Sequence, residues 1–323
     1  MRNKTVFMFS GQGSQYHQMG RELFDTHTVF RETMLRLDAA VYRLCGQRVV
    51  EVLYGSPASE VFDRTLLTHP AIFMVEYSMA QCLMQAGIEP DLCLGTSLGS
   101  FAAASVAGCL DVDDALLAVV EQAVALEASC LRGGMIAILA EPSLYREAFL
   151  SEHSEFAGTN FDRHFAVAAP QGELDAIESG LKQRGLAFQR LPVSFAFHSR
   201  WIDGAQRQFS SSTRHVSCRR ATVPIMCCER GELLDVLPDD YFWRVVRQPM
   251  RFGQALAGLE RRGGHRYVDV GPSGTLATFV KYGLRDGSAS TVHPVLTPFG
   301  RDRVNLQALA DSHRTPAGAS VTS

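Results

Sequence analysis

The sequence lacks any apolar run of membrane-spanning length, since a spanning helix needs about 20 consecutive apolar residues and none occurs. The amino-terminal apolar segment, residues 6–9, is too short for the core of a secretory signal. We therefore predict no membrane association and a cytoplasmic location. Basic runs are also absent, and the formal net charge is −3. Because nucleic-acid binding depends on clustered Lys and Arg, this charge pattern argues against a nucleic-acid partner.

Metal-site and disulfide patterns are missing as well. The eight cysteines form no CxxC pair and have no histidine at the spacing of a zinc site. Most lie in apolar segments, as Cys93 does between Leu92 and Leu94, which indicates buried, reduced thiols. No phosphate-binding loop occurs either, so the sequence predicts neither a metal nor another cofactor.

Length and periodicity indicate a large α/β domain. At 323 residues, with 46% hydrophobic and 20% charged residues, the chain exceeds one average domain. Short apolar runs bounded by glycine predict buried parallel strands, and apolar spacing of three and four residues predicts helices between them. We expect residues 1–132 and 194–310 to form the main domain. The predicted strands are 5–9, 92–94 and 267–270, and the predicted helices are 68–86, 100–107 and 111–130.

The pattern changes over residues 133–193, where short strands alternate with two helical stretches. The strands are predicted at 135–139, 165–168 and 187–193. This β-α-β-α-β order predicts a small α+β insert. The polar segment 311–323 is rich in small residues and is expected to be a flexible tail.

A GxSxG sequence, Gly95-Thr-Ser-Leu-Gly99, lies between a predicted strand and a predicted helix. A nucleophile elbow requires this placement, because the flanking glycines permit a sharp turn and let a substrate approach the serine oxygen. The following helix directs its free N–H groups at developing negative charge. Ser97 is thus a candidate nucleophile, and an ordinary glycine-bounded turn is the alternative.

A serine nucleophile needs a base, and ten histidines are available. His198 stands out because it ends an apolar run, residues 193–198, at the junction between the insert and the main domain. A buried histidine satisfied by the backbone is the alternative interpretation of this position. Five other histidines lie in polar surroundings and are predicted at the surface: His17, His27, His153, His215 and His265.

Four motifs occur in a fixed order: Gly11-Gln-Gly-Ser-Gln15, the GxSxG sequence, Ala196-Phe-His-Ser199 and Gly271-Pro-Ser-Gly-Thr-Leu276. Together, over roughly residues 4–300, they resemble malonyl-CoA:ACP transacylases and polyketide synthase acyltransferases. The resemblance implies an α/β-hydrolase-like parallel-sheet core with an inserted ferredoxin-like α+β subdomain, here residues 133–193.

The resemblance also implies a Ser-His dyad, with Ser97 as nucleophile and His198 as general base. The backbone N–H groups of Gln12 and Leu98 would form the oxyanion hole, where one such donor contributes about 3–4 kcal/mol. In this family a backbone carbonyl orients the histidine, and the matching segment here is 248–252. The implied substrate is an acyl thioester on the phosphopantetheine of an acyl carrier protein or of CoA.

The sequence departs from the family pattern at positions implied to bind substrate. Thr96 and Ser100 stand where histidine and glutamate are usual. Phe195, close to Phe197, replaces the first histidine of the HAFH pattern of malonyl enzymes. Those enzymes place an arginine about 25 residues after the nucleophile, and the matching position holds Gln122, on the apolar side of its predicted helix. We assign Thr96, Phe195, Phe197 and Gln122 to substrate binding.

A glutamine cannot neutralise the free carboxylate of a malonyl group, which costs several kcal/mol when it is buried unpaired. We therefore expect neutral acyl chains as substrates. This combination resembles the freestanding acyltransferase-like acyl hydrolases of trans-acyltransferase polyketide synthases, which remove acyl groups from carrier proteins. Two alternatives stay open: an acyltransferase that loads an uncharged or a malonyl unit, and an inactive module that only binds carrier protein.

Overall fold

The first sheet of the protein is mostly parallel. The computed structural model describes residues 3–314. The strands of this sheet are β1 (Lys4–Phe9), β2 (Leu92–Gly95), β7 (Ile225–Cys227), β8 (Glu232–Leu234), β10 (His265–Asp269) and β11 (Thr291–Pro294). They lie in the order β11-β10-β1-β2-β7-β8, and each neighbouring pair is parallel except β7 with β8.

Apolar side chains on both faces of the central strands explain why this sheet is buried. Phe7 and Phe9 of β1 pack into the large helical core on one face. Val6 and Met8, which alternate with them, pack into a second cluster on the other face. A strand that is buried on both faces reads as a continuous apolar run, as the segment 5–9 does.

The second sheet is mostly antiparallel. Its strands are β3 (Gly133–Ile138), β4 (Glu155–Phe161), β5 (His164–Pro170), β6 (Phe188–Arg190) and β9 (Met250–Arg251). Their order is β6-β3-β5-β4-β9, and only the β4–β9 pair is parallel.

The predicted β-α-β-α-β order of the insert was incomplete. It omitted β4, because Gly158 and polar residues interrupt the apolar pattern of that strand. With β4 included, the segment from β3 to β6 has the β-α-β-β-α-β order of a ferredoxin-like subdomain. The main sheet and this second sheet together give the expected fold class, which the structural comparisons reported below confirm. The boundaries expected near residues 132 and 194 stay a prediction.

Helices surround both sheets, and the three predicted from periodicity correspond to α4, α5 and α6. The first six are α1 (Arg21–Thr26), α2 (Thr28–Cys45), α3 (Val49–Gly55), α4 (Thr65–Gln85), α5 (Gly99–Val106) and α6 (Val112–Ser129). The others are α7 (Ala148–Ser151), α8 (Leu174–Gln183), α9 (Gln206–Ser212), α10 (Tyr241–Arg247), α11 (Phe252–Glu260), α12 (Thr275–Gly283) and α13 (Asp302–Arg314). Two short 3-10 helices cover Pro142–Arg146 and Arg200–Ala205.

The carboxyl-terminal helix α13 corrects one prediction. Residues 311–314 are helical instead of part of a flexible tail, because Arg266 binds the carbonyl oxygen of Leu309 and the hydroxyl of Ser312. The remainder of the predicted tail, 315–323, lies outside the described residues. Over residues 3–314, no helix is both long and apolar enough to cross a membrane.

Candidate active site

Ser97 lies at the turn between β2 and α5. Its φ is +50°, in the left-handed region that non-glycine residues rarely adopt. Both glycines of the GxSxG sequence are required because other backbone atoms lie too close for a side chain. A Cβ atom at Gly95 would lie 2.5 Å from the Cα of Ser100, and one at Gly99 would overlap the carbonyl of Phe9. The sequence therefore produces the sharp turn that exposes the serine oxygen to the cavity.

His198 lies directly beside this serine. Its Nε2 is 3.0 Å from the Oγ of Ser97, and its Nδ1 is 2.7 Å from the carbonyl oxygen of Gln248. Because a carbonyl only accepts hydrogen bonds, Nδ1 carries the proton and Nε2 is free to accept the hydroxyl proton of Ser97. The orienting carbonyl therefore falls within the segment 248–252, as expected from the resemblance.

Burial keeps the His198 ring neutral. It lowers the pKa of His198 to about 4, the hydrogen bond to Gln248 opposes this effect, and the nearby charge of Arg247 adds to it. A neutral imidazole at physiological pH can act as a general base.

Two backbone amides near Ser97 have no acceptor. Among the hydrogen bonds of the described residues, the N–H groups of Gln12 and Leu98 donate to no protein atom. Leu98 precedes the first turn of α5, where amides point out of the helix end. Gly11 brings the Gln12 loop against the nucleophile, since a Cβ atom there would lie 2.8 Å from the Cβ of Ser97. The pair can accept the negative charge of a tetrahedral intermediate.

The loop that carries Gln12 is anchored at both ends. The N–H and the Oγ of Ser10 lie 2.6 and 2.8 Å from the Oε1 of Glu76, whose pKa burial raises well above its usual value. The N–H of Gly13 donates to the side chain of Gln15 at 2.7 Å, and Gln15 in turn donates to the carbonyl of Pro192 at 2.6 Å. The loop is thus held between α4 and the end of the insert.

A cavity of about 500 Å³ opens over Ser97 between the two sheets. Its walls combine the residues of the dyad with Met135, Ala137 and Ala166 of the second sheet. This volume lies within the usual range for small-molecule sites. Among the described residues, the walls contain no Asp, Glu, Lys or Arg. The cavity therefore offers no fixed charge to a bound acyl group.

Two polar residues in the cavity wall were missed at the sequence level. Asn160 is the penultimate residue of β4 and His164 begins β5, and their Nδ2 and Nδ1 atoms are 2.9 Å apart. Burial lowers the pKa of His164, which favours the neutral form of its ring. These positions carry no periodic signal, since glycine and polar residues interrupt the apolar pattern of β4.

The structure separates the four residues assigned to substrate binding. Thr96 and Phe197 line the cavity, and the hydroxyl of Thr96 donates to the carbonyl of Phe9 at 3.3 Å. Phe195 and Gln122 are buried but do not belong to the lining. Phe195 packs in the helical core with its ring 6.4 Å from that of Phe197. Gln122 faces inwards, as expected, where α6 packs against α4, and its assignment to substrate binding stays a prediction.

Other histidines also differ from expectation. His17 and His265, predicted at the surface, are both buried. The His17 ring packs 4.4 Å from that of Phe62, and His265 is the first residue of a buried strand. Polar neighbours in sequence are therefore a poor guide to burial here. His69, within the apolar helix α4, was not singled out although it contacts Gln12. A histidine inside an otherwise apolar helix was the available signal.

Known proteins resemble this chain over nearly its whole length. Residues 6–318 match the acyl transferase domain family. The chain is 42% identical over 321 residues to the polyketide biosynthesis acyltransferase homologue BaeD of Bacillus velezensis, covering 98% of this chain and 99% of that protein. It is 42% identical over 319 residues to the homologue PksD of Bacillus subtilis, covering 98% of each.

Solved structures show the same relationship. A loading acyltransferase from the avermectin modular polyketide synthase superposes with a TM-score of 0.88 at 26% identity, covering 96% of this chain and all (100%) of that one. The acyltransferase domain from the second module of the salinomycin polyketide synthase gives 0.85 at 29%, covering 97% and 74%. The family match spans nearly the whole chain, and so the protein belongs to the acyl transferase domain family.

Proposed function

We propose that this protein hydrolyses neutral acyl groups from phosphopantetheine thioesters on acyl carrier proteins of polyketide biosynthesis. The observation that carries the proposal is the contact between Ser97 and His198 on the floor of a cavity without fixed charge. The relatives BaeD and PksD are acyltransferase homologues of polyketide biosynthesis, which supports the carrier protein as the partner. The resemblance to freestanding acyl hydrolases supports water as the final acceptor.

In the first half-reaction the Oγ of Ser97 attacks the thioester carbonyl while Nε2 of His198 takes the hydroxyl proton. The N–H groups of Gln12 and Leu98 hold the oxyanion. The intermediate collapses, the carbon–sulfur bond breaks, and His198 returns the proton to the leaving thiol. The products are an acyl ester on Ser97 and the free carrier thiol.

In the second half-reaction His198 removes a proton from water, which attacks the ester carbonyl. Collapse of this intermediate returns the proton to the Oγ of Ser97 and releases the carboxylic acid. The polar side chains of Asn160, His164 and Gln189 in the wall can hold ordered water near the ester. Overall, one thioester and one water give one acid and one thiol.

The uncharged walls disfavour malonyl groups. A malonyl carboxylate would lose its hydration in the cavity and find no cation, at a cost of several kcal/mol. Neutral chains such as acetyl and butyryl meet the apolar side chains of Met135, Ala137 and Ala166 instead. This selection does not require Gln122 to touch the acyl group.

Intact-protein mass spectrometry with acetyl-, butyryl- and malonyl-loaded carrier protein tests the proposal. We expect an acyl adduct on the wild-type protein, release of acetate and butyrate over many turnovers, and much slower turnover of malonyl carrier protein. The variant Ser97→Ala is the matched control and should show neither adduct nor release.

Each competing function gives a different result in the same experiment. Acyl groups that move to a second carrier protein without release of acid would establish a transferase. A wild-type protein that binds carrier protein but is never acylated would be an inactive binding module. An adduct that persists in Ser97→Ala would place the nucleophile elsewhere.

A further inference from the structure

A row of three side chains, those of Gln12, His69 and Gln122, lies behind the candidate oxyanion hole, and the last two are fully buried. The Nε2 of Gln12 donates to the Oγ1 of Thr68 at 2.9 Å and makes a short contact with the Nδ1 of His69. His69 is fully buried on α4, and Gln122 is fully buried on the neighbouring helix α6. The side chain of Gln122 lies close enough to His69 to raise the pKa of the ring against the effect of burial. The row therefore connects α6, α4 and the loop of the candidate oxyanion hole.

Hydrogen-bonding chemistry fixes the state of the central histidine. The amide nitrogen of Gln12 is only a donor, so the Nδ1 of His69 must accept and the ring proton resides on Nε2. That Nε2 is buried and forms no hydrogen bond within residues 3–314, and the same holds for the Oε1 of Gln122. A donor and an acceptor, both otherwise unsatisfied, thus belong to neighbouring side chains.

The His69 ring is neutral over the working pH range. Desolvation by burial lowers the pKa of His69 to about 3. The row therefore keeps its donor and acceptor pattern wherever the protein is active. The row can fix the position of the Gln12 side chain, but it does not exchange protons with the substrate.

The loop needs such an anchor because of its sequence. Gln12 lies between Gly11 and Gly13, and Gly13 has a φ of +100°. Glycine is the most flexible residue, so the backbone alone does not fix the direction of the Gln12 N–H. Contacts to the Gln12 side chain can therefore restrict the orientation of the Gln12 backbone N–H.

We propose that His69, in its Nε2–H form, is a positioning residue that joins Gln122 to the side chain of Gln12 and thereby aims the Gln12 N–H at the oxyanion. The inference rests on the proposed function, since it assumes that Ser97 is acylated. Gln122 then contributes to the rate with every acyl group, instead of choosing between neutral and carboxylated ones.

The test is the single-turnover rate of Ser97 acylation in His69→Phe and Gln122→Leu. Each variant replaces the polar side chain with an apolar one of similar bulk, which removes its hydrogen bonds. Since an oxyanion donor contributes about 10²–10³-fold where it is lost outright, we expect a misaimed donor to lower the acylation rate about 10- to 100-fold, with KM nearly unchanged. The factor should be the same for acetyl, butyryl and malonyl carrier protein.

Rescue and coupling separate positioning from general structural damage. His69→Asn offers an amide oxygen to the Nε2 of Gln12 and should recover most of the rate. Adding Gln122→Leu to His69→Phe should lower the acylation rate little further, because the effects of substitutions within one hydrogen-bond network are not additive. His215→Asn, at an exposed histidine, is the control and should match the wild type.

Three outcomes would overturn the inference. The losses in acylation rate could be additive, KM alone could change, or the fall in rate could differ between malonyl and neutral acyl groups. The last would mean that Gln122 acts on acyl choice. If His69→Phe does not fold, His69→Asn and Gln122→Leu still give these readouts. Acylation precedes both hydrolysis and transfer, so the ratios remain readable even if water is not the final acceptor and the proposed function fails.

Discussion

At the scale of single residues, the candidate dyad is held in an unfavourable backbone conformation. Ser97 and His198 have φ values of +50° and +61°. Non-glycine residues in this region cost on the order of 1–3 kcal/mol each and cluster at functional sites. The strain is maintained by hydrogen bonds, among them that from the N–H of His198 to the carbonyl of Val246 at 2.9 Å. Geometry and strain thus coincide at the two residues that motif analysis selected.

The pH dependence of acyl release follows from the His198 environment. The base is active when neutral, and its pKa is lowered to about 4. Activity should therefore be flat between about pH 5 and 8 and fall as the pH drops through about 4, instead of near the usual histidine value of about 6.5. Measuring kcat/KM from pH 3.5 to 8, with circular dichroism as a check on folding, gives the midpoint. An acid limb centred near 6.5 in a folded protein would show that the ring is more hydrated than its burial implies.

At the scale of secondary structure, a two-residue strand links the dyad to the second sheet. The strand β9 begins two residues after Gln248, whose carbonyl holds His198. It pairs with β4 at Gly158, which lies opposite Met250 and has a φ of +150°. A Cβ atom at Gly158 would lie 2.6 Å from the carbonyl oxygen of Met250. This glycine therefore permits the pairing that fixes the position of Gln248.

Gly158→Ala should lower both stability and acyl release. The new Cβ meets backbone, which cannot move aside cheaply, so β9 and the Gln248 carbonyl must shift. We expect a loss of about 1–3 kcal/mol in the free energy of unfolding and at least a tenfold fall in kcat/KM. Gly185→Ala is a control, since Gly185 also has a positive φ, +64°, but nothing within 4 Å of its Cβ position. If both variants keep full activity, the β4–β9 pairing does not position His198.

At the scale of the whole molecule, the cavity exists only because two sheets meet. Ser97 and His198 come from the main domain, whereas Ala137 and Ala166 come from adjacent strands of the second sheet. These small side chains leave the volume over the nucleophile. We therefore expect acyl chain length to be set by residues far in sequence from Ser97 and His198.

Ala166→Leu should shorten the accepted chain. The larger side chain enters the cavity, so butyryl and longer groups lose contact volume while acetyl still fits. We expect the ratio of butyryl to acetyl kcat/KM to fall about tenfold, in the range that one or two methylenes contribute in a pocket. Ala187→Leu, at an exposed position of the same subdomain, should leave the ratio unchanged. An unaltered ratio in Ala166→Leu would mean that the acyl chain extends in another direction.

Much of the site could be read from local sequence because its parts are local. A glycine-bounded turn between a buried strand and a helix depends on neighbouring residues, so Ser97 was recognisable as a candidate nucleophile. The apolar run before His198 singled out that histidine, and the resemblance of four ordered motifs to a known family assigned the roles of His198 and Gln12. The ferredoxin-like order was harder: β4 was missed since Gly158 and polar residues hide its alternation.

The sequence by itself determined the fold class, the family and the motif residues, because these follow from short patterns in a fixed order. Tertiary packing alone decided that His69 contacts Gln12 and that Gln122 is buried on the helix packed against that of His69. These three residues are more than 50 positions apart in sequence, and no periodicity connects them. They meet because α4 and α6 pack together beneath the oxyanion loop, which is a property of the assembled core and not of any one segment.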